Sequence, residues 1–103
     1  MTQRTAFVLR VRPGKLDEYV HAHRDVWPEM LDALRAAGIR NYTIFRDDNR
    51  MFGYFEADDL TAAGEYLARQ DVGTRWQNAM AELLEERVPV NGPPALEEIF
   101  RLD

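Results

Sequence analysis

The sequence predicts a single α+β domain with the element order β-α-β-β-α-β, and three features of the chain indicate it. Segments rich in aromatic and β-branched residues, typical of strands, stand near both ends and in a pair near the middle. Between them lie segments whose apolar residues recur three and four apart, as on amphipathic helices. Turn-forming residues, Pro13-Gly14 and Asp47-Asp48-Asn49, mark two of the boundaries. Residues 1–103 are therefore expected to form one domain.

The first part of the chain predicts a strand followed by an interrupted helix. Residues Thr5–Arg12 alternate apolar and polar side chains, which favours a strand. Lys15–Ala37 has helical spacing, and Gly38 is well placed to end that helix. Pro28 cannot donate a backbone hydrogen bond, so we expect a break at Trp27. The apolar stripe of this helix consists of Leu16, Val20, His23, Trp27, Leu31 and Leu34.

The middle of the chain predicts a hairpin and then two helices. Tyr42–Arg46 and Met51–Ala57 are strand-like and are joined by a short polar turn. Thr61–Arg69 predicts a short helix. Val72–Arg87 predicts a longer one, with Asp71 as its N-cap.

The end of the chain predicts a loop, Pro89–Pro94, and a last strand, Leu96–Leu102. The complete order is that of the ferredoxin-like split unit. Its architecture is a four-stranded antiparallel sheet with both helices on one face.

The hairpin indicates what covers the other face of this sheet. Phe52 and Tyr54 fall on one side of the strand, and Met51 and Phe55 fall on the other, so both faces carry apolar groups. A bare apolar face is unusual in a monomer. We therefore expect a homodimer with two sheets face to face; the alternative is that the loop Pro89–Pro94 covers the face.

Composition excludes several classes of partner. The net charge is −5 and no run of Lys or Arg occurs, which argues against nucleic acids and anionic membranes. There is no cysteine for a disulfide framework, and no apolar run approaches the roughly 20 residues of a membrane span. The N-terminus lacks a signal-peptide pattern, so a cytoplasmic location is expected.

The first helix carries the residues best suited to chemistry. Tyr19 and His23 are four apart, so their side chains share one helix face. An imidazole titrates near pH 6.5 and exchanges protons near neutrality without a metal or cofactor. A histidine on a half-apolar stripe is also compatible with a hydrogen-bonded core residue. His21 points to another face of the helix and is expected at the surface. Because the rings of His21 and His23 lie on different faces, no metal site is predicted.

Several segments of this chain resemble those of the L-rhamnose mutarotase family, cofactor-free enzymes that interconvert the α and β anomers of L-rhamnose. The most specific segment is Glu18-Tyr19 with His23 and Trp27-Pro28-Glu29. The other matching segments are Ala6-Phe7-Val8, Asn41-Tyr42 with Ile44, Asp71-Val72 with Arg75-Trp76, and Phe100. They run through nearly the whole chain in the expected order. The resemblance implies a dimeric α+β barrel and no cofactor.

The resemblance also implies roles for individual residues. His23 occupies the position of the proton donor, and Tyr19, Tyr42 and Trp76 occupy substrate-binding positions. An indole ring suits the apolar C–H face of a sugar and the methyl group of L-rhamnose. The family pattern has two consecutive tryptophans where this chain has Trp76-Gln77, so an amide replaces the second ring. Without the resemblance, Tyr42 and Trp76 would be read as core aromatics.

Two other functions are compatible with the same fold. One is a cofactor-free oxygenase or haem-degrading enzyme, which also lines its pocket with His, Trp and Tyr. The other is a dimeric barrel that binds without catalysis. Fold alone does not separate the three; the spacing from Tyr19 to Glu29 favours the mutarotase.

Overall fold

The structure, a computed structural model, describes residues 1–89 and 92–103. In these residues, the strands and helices follow one another in the order that the sequence predicts, except that the predicted last strand is missing at the C-terminal end. The elements are β1 (Gln3–Arg10), α1 (Leu16–Arg24), α2 (Pro28–Ala36), β2 (Arg40–Asp47), β3 (Arg50–Ala57), α3 (Leu60–Ala68) and α4 (Asp71–Ala81).

The strands form an antiparallel sheet in the order β1-β3-β2. β1 pairs with β3 without interruption, from Gln3 opposite Ala57 to Arg10 opposite Arg50. The predicted hairpin is confirmed, with strands that are longer than predicted. Asp48 at its turn has a φ of 55°, in the left-handed region that aspartate tolerates better than most residues.

The four helices cover one face of the sheet and enclose the core. The larger apolar cluster includes Tyr19 of α1, Met30 of α2 and Trp76 of α4, which pack with Met51 of β3. A smaller cluster lies beneath α3 and contains Ile39, Ala57 and Ala63. None of the helices in the described ranges is long and apolar enough to cross a membrane.

The predicted break in the first helix is confirmed. α1 ends at Arg24, and α2 begins at Pro28, immediately after Trp27. Proline suits the first helical position because the backbone N–H that it lacks would have no partner there. The break turns α2 away from α1 and leaves the Trp27 side chain to pack against α4.

The last helix is shorter than predicted, and its predicted N-cap is wrong. Asp71 is the first residue of α4, and its carboxylate accepts a hydrogen bond from Arg75 Nε at 2.7 Å instead of capping the helix. The helix ends at Ala81. Leu84 is buried in the core and forms a bridge with Val11 beyond β1, which a continued helix would prevent.

The predicted fourth strand, Leu96–Leu102, is not formed as a strand in the described part of the chain. The segment begins beside the free edge of β1, where Leu96 N donates to Ala6 O at 2.8 Å. Beyond that point its apolar side chains meet solvent: Ile99 is 82% exposed and Phe100 is 79% exposed. A strand at this edge needs apolar side chains buried on at least one face, and here they have no such cover.

The sheet face opposite the helices is open and partly apolar. Val8, Phe52 and Phe45 lie in register across the three strands, and Phe45 is 68% exposed. The alternative that the loop after α4 covers this face is wrong for its described residues, because Gly92 and Pro93 line a cavity on the helix side. Two residues of the predicted loop Pro89–Pro94, Val90 and Asn91, lie outside the described residues.

Candidate active site

A cavity of about 680 Å³ lies between the helices and the sheet. It brings together three of the residues that the sequence proposes for the site: His23 of α1, Tyr42 of β2 and Trp76 of α4. These residues are far apart in sequence, and tertiary packing brings them together; the rings of His23 and Trp76 are in direct contact.

His23 lines the cavity and uses one of its ring nitrogens within its own helix. Its Nδ1 lies 2.9 Å from the backbone carbonyl oxygen of Tyr19. A carbonyl oxygen only accepts, so Nδ1 carries the hydrogen and the neutral ring keeps Nε2 free. Burial lowers the pKa of His23 below 6.5, and the hydrogen bond to Tyr19 opposes part of that shift. The imidazolium is therefore a stronger acid than in water.

Tyr19 lies behind His23 and does not line the cavity. Its ring is 3% exposed and stacks on the imidazole, with ring centroids 4.2 Å apart and planes inclined by 28°. Burial raises the pKa of Tyr19 to about 12, so the phenol stays protonated. Through the stack and the carbonyl bond, Tyr19 fixes the orientation of the imidazole.

A β-bulge aims Tyr42 at the cavity. Arg40 pairs with Glu56 and Thr43 pairs with Tyr54, so β2 has one residue more than β3 between these pairs. Asn41 takes the left-handed conformation, with a φ of 54°, that the extra residue requires. This bulge was not predicted from the sequence, although an Asn near the start of a strand is a recognisable signal for one.

The Tyr42 ring has an exposed side and a desolvated hydroxyl. The residue as a whole is 40% exposed, and its ring stacks on Phe55 with centroids 4.9 Å apart. Burial of the hydroxyl raises its pKa well above the ordinary value, and the nearby Tyr19 hydroxyl raises it further. Tyr42 therefore offers the cavity a neutral O–H group that donates and accepts hydrogen bonds.

Trp76 forms the opposite wall and is held by a chain of aromatic contacts. Its ring meets His23 edge to face at 5.4 Å and Trp27 edge to face at 5.1 Å. Trp27 packs at the helix break and is not among the residues lining the cavity. The guanidinium carbon of Arg75 lies 5.9 Å from the centroid of the Trp27 ring, and Arg75 Nη2 donates a hydrogen bond to Glu29 Oε1 at 2.9 Å. These contacts connect α4 to the start of α2.

The residue after Trp76 also lines the cavity. Gln77 is half-buried in the wall, so an amide stands where a second indole would narrow the site. The sequence analysis did not propose the residues of α3 that complete the wall, Thr61, Gly64 and Glu65. Their spacing of three and four places them on one helix face, but sequence alone does not show that this face meets the cavity.

Comparisons with known proteins agree with this geometry. The model of the family described as L-rhamnose mutarotase matches residues 4–102. An L-rhamnose mutarotase of Burkholderia orbicola is 44% identical, with 95% of this chain and 96% of that protein covered. The Bacillus subtilis L-rhamnose mutarotase is 37% identical, with 98% and 99% covered. A crystal structure of an L-rhamnose mutarotase from Formosa agariphila superposes with a TM-score of 0.77 at 29% identity, covering 98% of this chain and 99% of that one.

Proposed function

We propose, because this chain belongs to the L-rhamnose mutarotase family, that it interconverts the α and β anomers of L-rhamnose with His23 as the proton donor. The activity is that of an isomerase acting on the anomeric carbon. The observation that supports this mechanism best is the placement of His23: its Nδ1 is bonded to Tyr19, and the cavity contains Tyr42 and Trp76 around it.

The reaction requires two proton movements and no redox change. A proton is delivered to the ring oxygen and the C1 hydroxyl gives its proton to a water molecule in the open cavity, while the bond between C1 and the ring oxygen breaks; the water returns a proton to O1 when the ring closes. Rotation about the C1–C2 bond and reclosure on the other face of the aldehyde give the second anomer. His23 in its imidazolium form donates the first proton through Nε2, and the neutral ring takes a proton back when the sugar closes.

The other residues bind and orient the sugar. Tyr42 offers its neutral hydroxyl to a sugar oxygen, and Trp76 offers ring surface to the C–H groups and the methyl group. For Tyr19, the burial of the residue and the stacking of its ring on the imidazole support a role in positioning His23. Gln77 supplies hydrogen bonds in place of a second aromatic surface.

Anomer exchange on fresh L-rhamnose, followed by NMR against other aldoses, tests this function. The proposed activity gives exchange that is proportional to the protein concentration and fastest with L-rhamnose. A coloured haem complex or oxygen uptake would indicate the oxygenase or haem-degrading alternative. A protein that shows no anomer exchange, no haem complex and no oxygen uptake would indicate the third alternative, a dimeric barrel that binds without catalysis.

We also infer that the protein is a homodimer in which the two open sheet faces pack together. Phe45 and Phe52 are a cross-strand pair on that face, and two such faces supply the apolar cover that each lacks alone. The exposed apolar side chains of the C-terminal segment lie beside the same sheet. Once a partner covers them, Leu96–Leu102 extends along β1 as the fourth strand.

Replacing Phe45 with arginine is expected to convert the dimer into a monomer at micromolar concentration. The substitution puts a charge on the apolar face, where a partner would have to desolvate it. Light scattering coupled to size-exclusion chromatography measures the change, with Ala36→Arg on an exposed position of α2 as the matched control. A wild-type protein that is already monomeric would contradict the dimer.

A further inference from the structure

The cavity has two ends of different chemistry. The catalytic end contains His23, Trp76 and Gln77, whose nitrogen and oxygen atoms can bond sugar hydroxyls. The other end lies between α2, Ile39 just before β2, and α3, and most of its lining is apolar; the polar residues Thr61 and Glu65 of α3 also line the cavity. We call this end the annex; it consists of Leu31, Leu34, Ile39, Leu60, Ala63 and Gly64.

The two ends rest on different core clusters, and Leu34 packs against both clusters. The catalytic end rests on the larger apolar cluster, which includes Trp76. The annex rests on the smaller cluster, in which Ile39 and Ala63 are buried. The stacked rings of Tyr42 and Phe55 also line the cavity, and Phe55 packs against the smaller cluster. The annex is thus a continuation of the cavity with its own floor.

The cavity is larger than one monosaccharide requires. Pockets of roughly 300–1,000 Å³ enclose drug-sized ligands, and this cavity has a volume of about 680 Å³. A deoxyhexose is smaller than such a ligand and uses its hydroxyl groups at the catalytic end. With an unsubstituted sugar bound there, the apolar wall of the annex faces water, which is unfavourable.

Gly64 lines the annex. It is the fifth of nine residues in α3, and glycine is the least favourable residue after proline in a helix interior. Its neighbours Ala63 and Glu65 both line the cavity, so a side chain at position 64 would enter it. A glycine in the middle of a helix calls for a packing or functional reason, and room for a ligand supplies one.

We propose that the annex binds an apolar substituent carried by the sugar, so that the substrates of this enzyme include O-alkylated or O-acylated deoxyhexoses. This rests on the proposed function, since the anomeric carbon is placed at His23. A substituent that reaches between α2 and α3 then leaves the ring from the side opposite C1, at O3 or O4. The substituent buries its carbon atoms against Leu34, Ile39 and Ala63.

The test compares L-rhamnose with 4-O-butyl- and 3-O-butyl-L-rhamnose, both by calorimetric binding and by NMR anomer exchange. The wild type is expected to bind at least one butyl ether about tenfold more tightly, a modest share of the gain from burying four carbons. Gly64→Leu fills the annex and should abolish that preference. Gly64→Ala controls for the change in helix propensity. Ala62→Leu adds a leucine at an exposed position of α3. Both control variants should keep the preference for the butyl ether.

Transferred NOE contacts between the butyl chain and the methyl groups of Leu34 and Ile39 provide a second readout on the wild type, which does not depend on the folding of a variant. The annex proposal is overturned if neither butyl ether binds more tightly than L-rhamnose. It is also overturned if the preference survives in Gly64→Leu. If no sugar shows catalysed exchange, the proposed function fails, while the binding preference and its loss in Gly64→Leu still decide the annex.

Discussion

Replacing His23 with alanine is expected to slow the catalysed exchange of L-rhamnose anomers by about 10²–10⁴-fold, the usual contribution of a general acid–base group. His23 is the cavity residue whose ordinary pKa lies nearest to neutrality, and the tyrosine hydroxyls are too weakly acidic to replace it. The variant keeps Tyr42 and Trp76, so it should retain measurable sugar binding. NMR exchange spectroscopy gives the rate, and calorimetry gives the binding.

His21→Ala is the matched control for this experiment. His21 lies on the same helix two residues earlier, and its side chain is exposed. Its loss removes an imidazole without touching the cavity, so exchange should continue at the wild-type rate. Wild-type exchange rates in His23→Ala would show that the proton donor has been assigned to the wrong residue.

Gly53→Ala is expected to destabilise the fold by about 2–3 kcal/mol, the upper part of the usual range for overpacking. Phe7 of β1 lies across the backbone of Gly53, and a Cβ there would stand 2.0 Å from the Phe7 ring. The ring is 2% exposed, so it has no space into which to move. For a domain of this size, the loss corresponds to roughly 10–20 °C in Tm.

Thermal unfolding at one fixed protein concentration measures this loss. Phe7 also contacts Tyr42 edge to face at 6.2 Å, so weaker sugar binding should accompany the loss of stability. In a Phe7→Leu background the same Gly53→Ala change should cost much less, because the shorter side chain leaves room for the methyl group. Equal costs in the two backgrounds would rule out the clash as the cause.

Much of the fold can be predicted from the sequence because its signals are local. The proline at position 28 and the apolar spacing on either side of it predict two helices that meet at Trp27. The polar residues between Arg46 and Met51 predict the hairpin turn. The segment Leu96–Leu102 has the alternation of a strand, but a strand also needs a covered face, and that cover depends on residues distant in sequence.

The site was predictable in part for the same reason. Tyr19 and His23 are one helical turn apart, so their proximity follows from local geometry. Local geometry does not show which of the two side chains lies deeper, because that depends on how α1 packs on the sheet. In the structure, Tyr19 lies behind the imidazole. The bulge at Asn41 and the contribution of Gly64 both depend on tertiary packing and could not be placed from spacing alone.

The pH dependence of kcat/KM for L-rhamnose anomer exchange, measured on the wild type and on His23→Ala between about pH 5 and 8, tests the proton-donor role most directly. This parameter reports the ionisation of the free enzyme. Burial lowers the pKa of His23 below 6.5, so the imidazolium form is lost as the pH rises through that lowered value. The wild-type kcat/KM should therefore fall with rising pH through an inflection below 6.5, and His23→Ala should show no such inflection. A wild-type profile that rises across this range, or that is unchanged in His23→Ala, would contradict proton donation by His23.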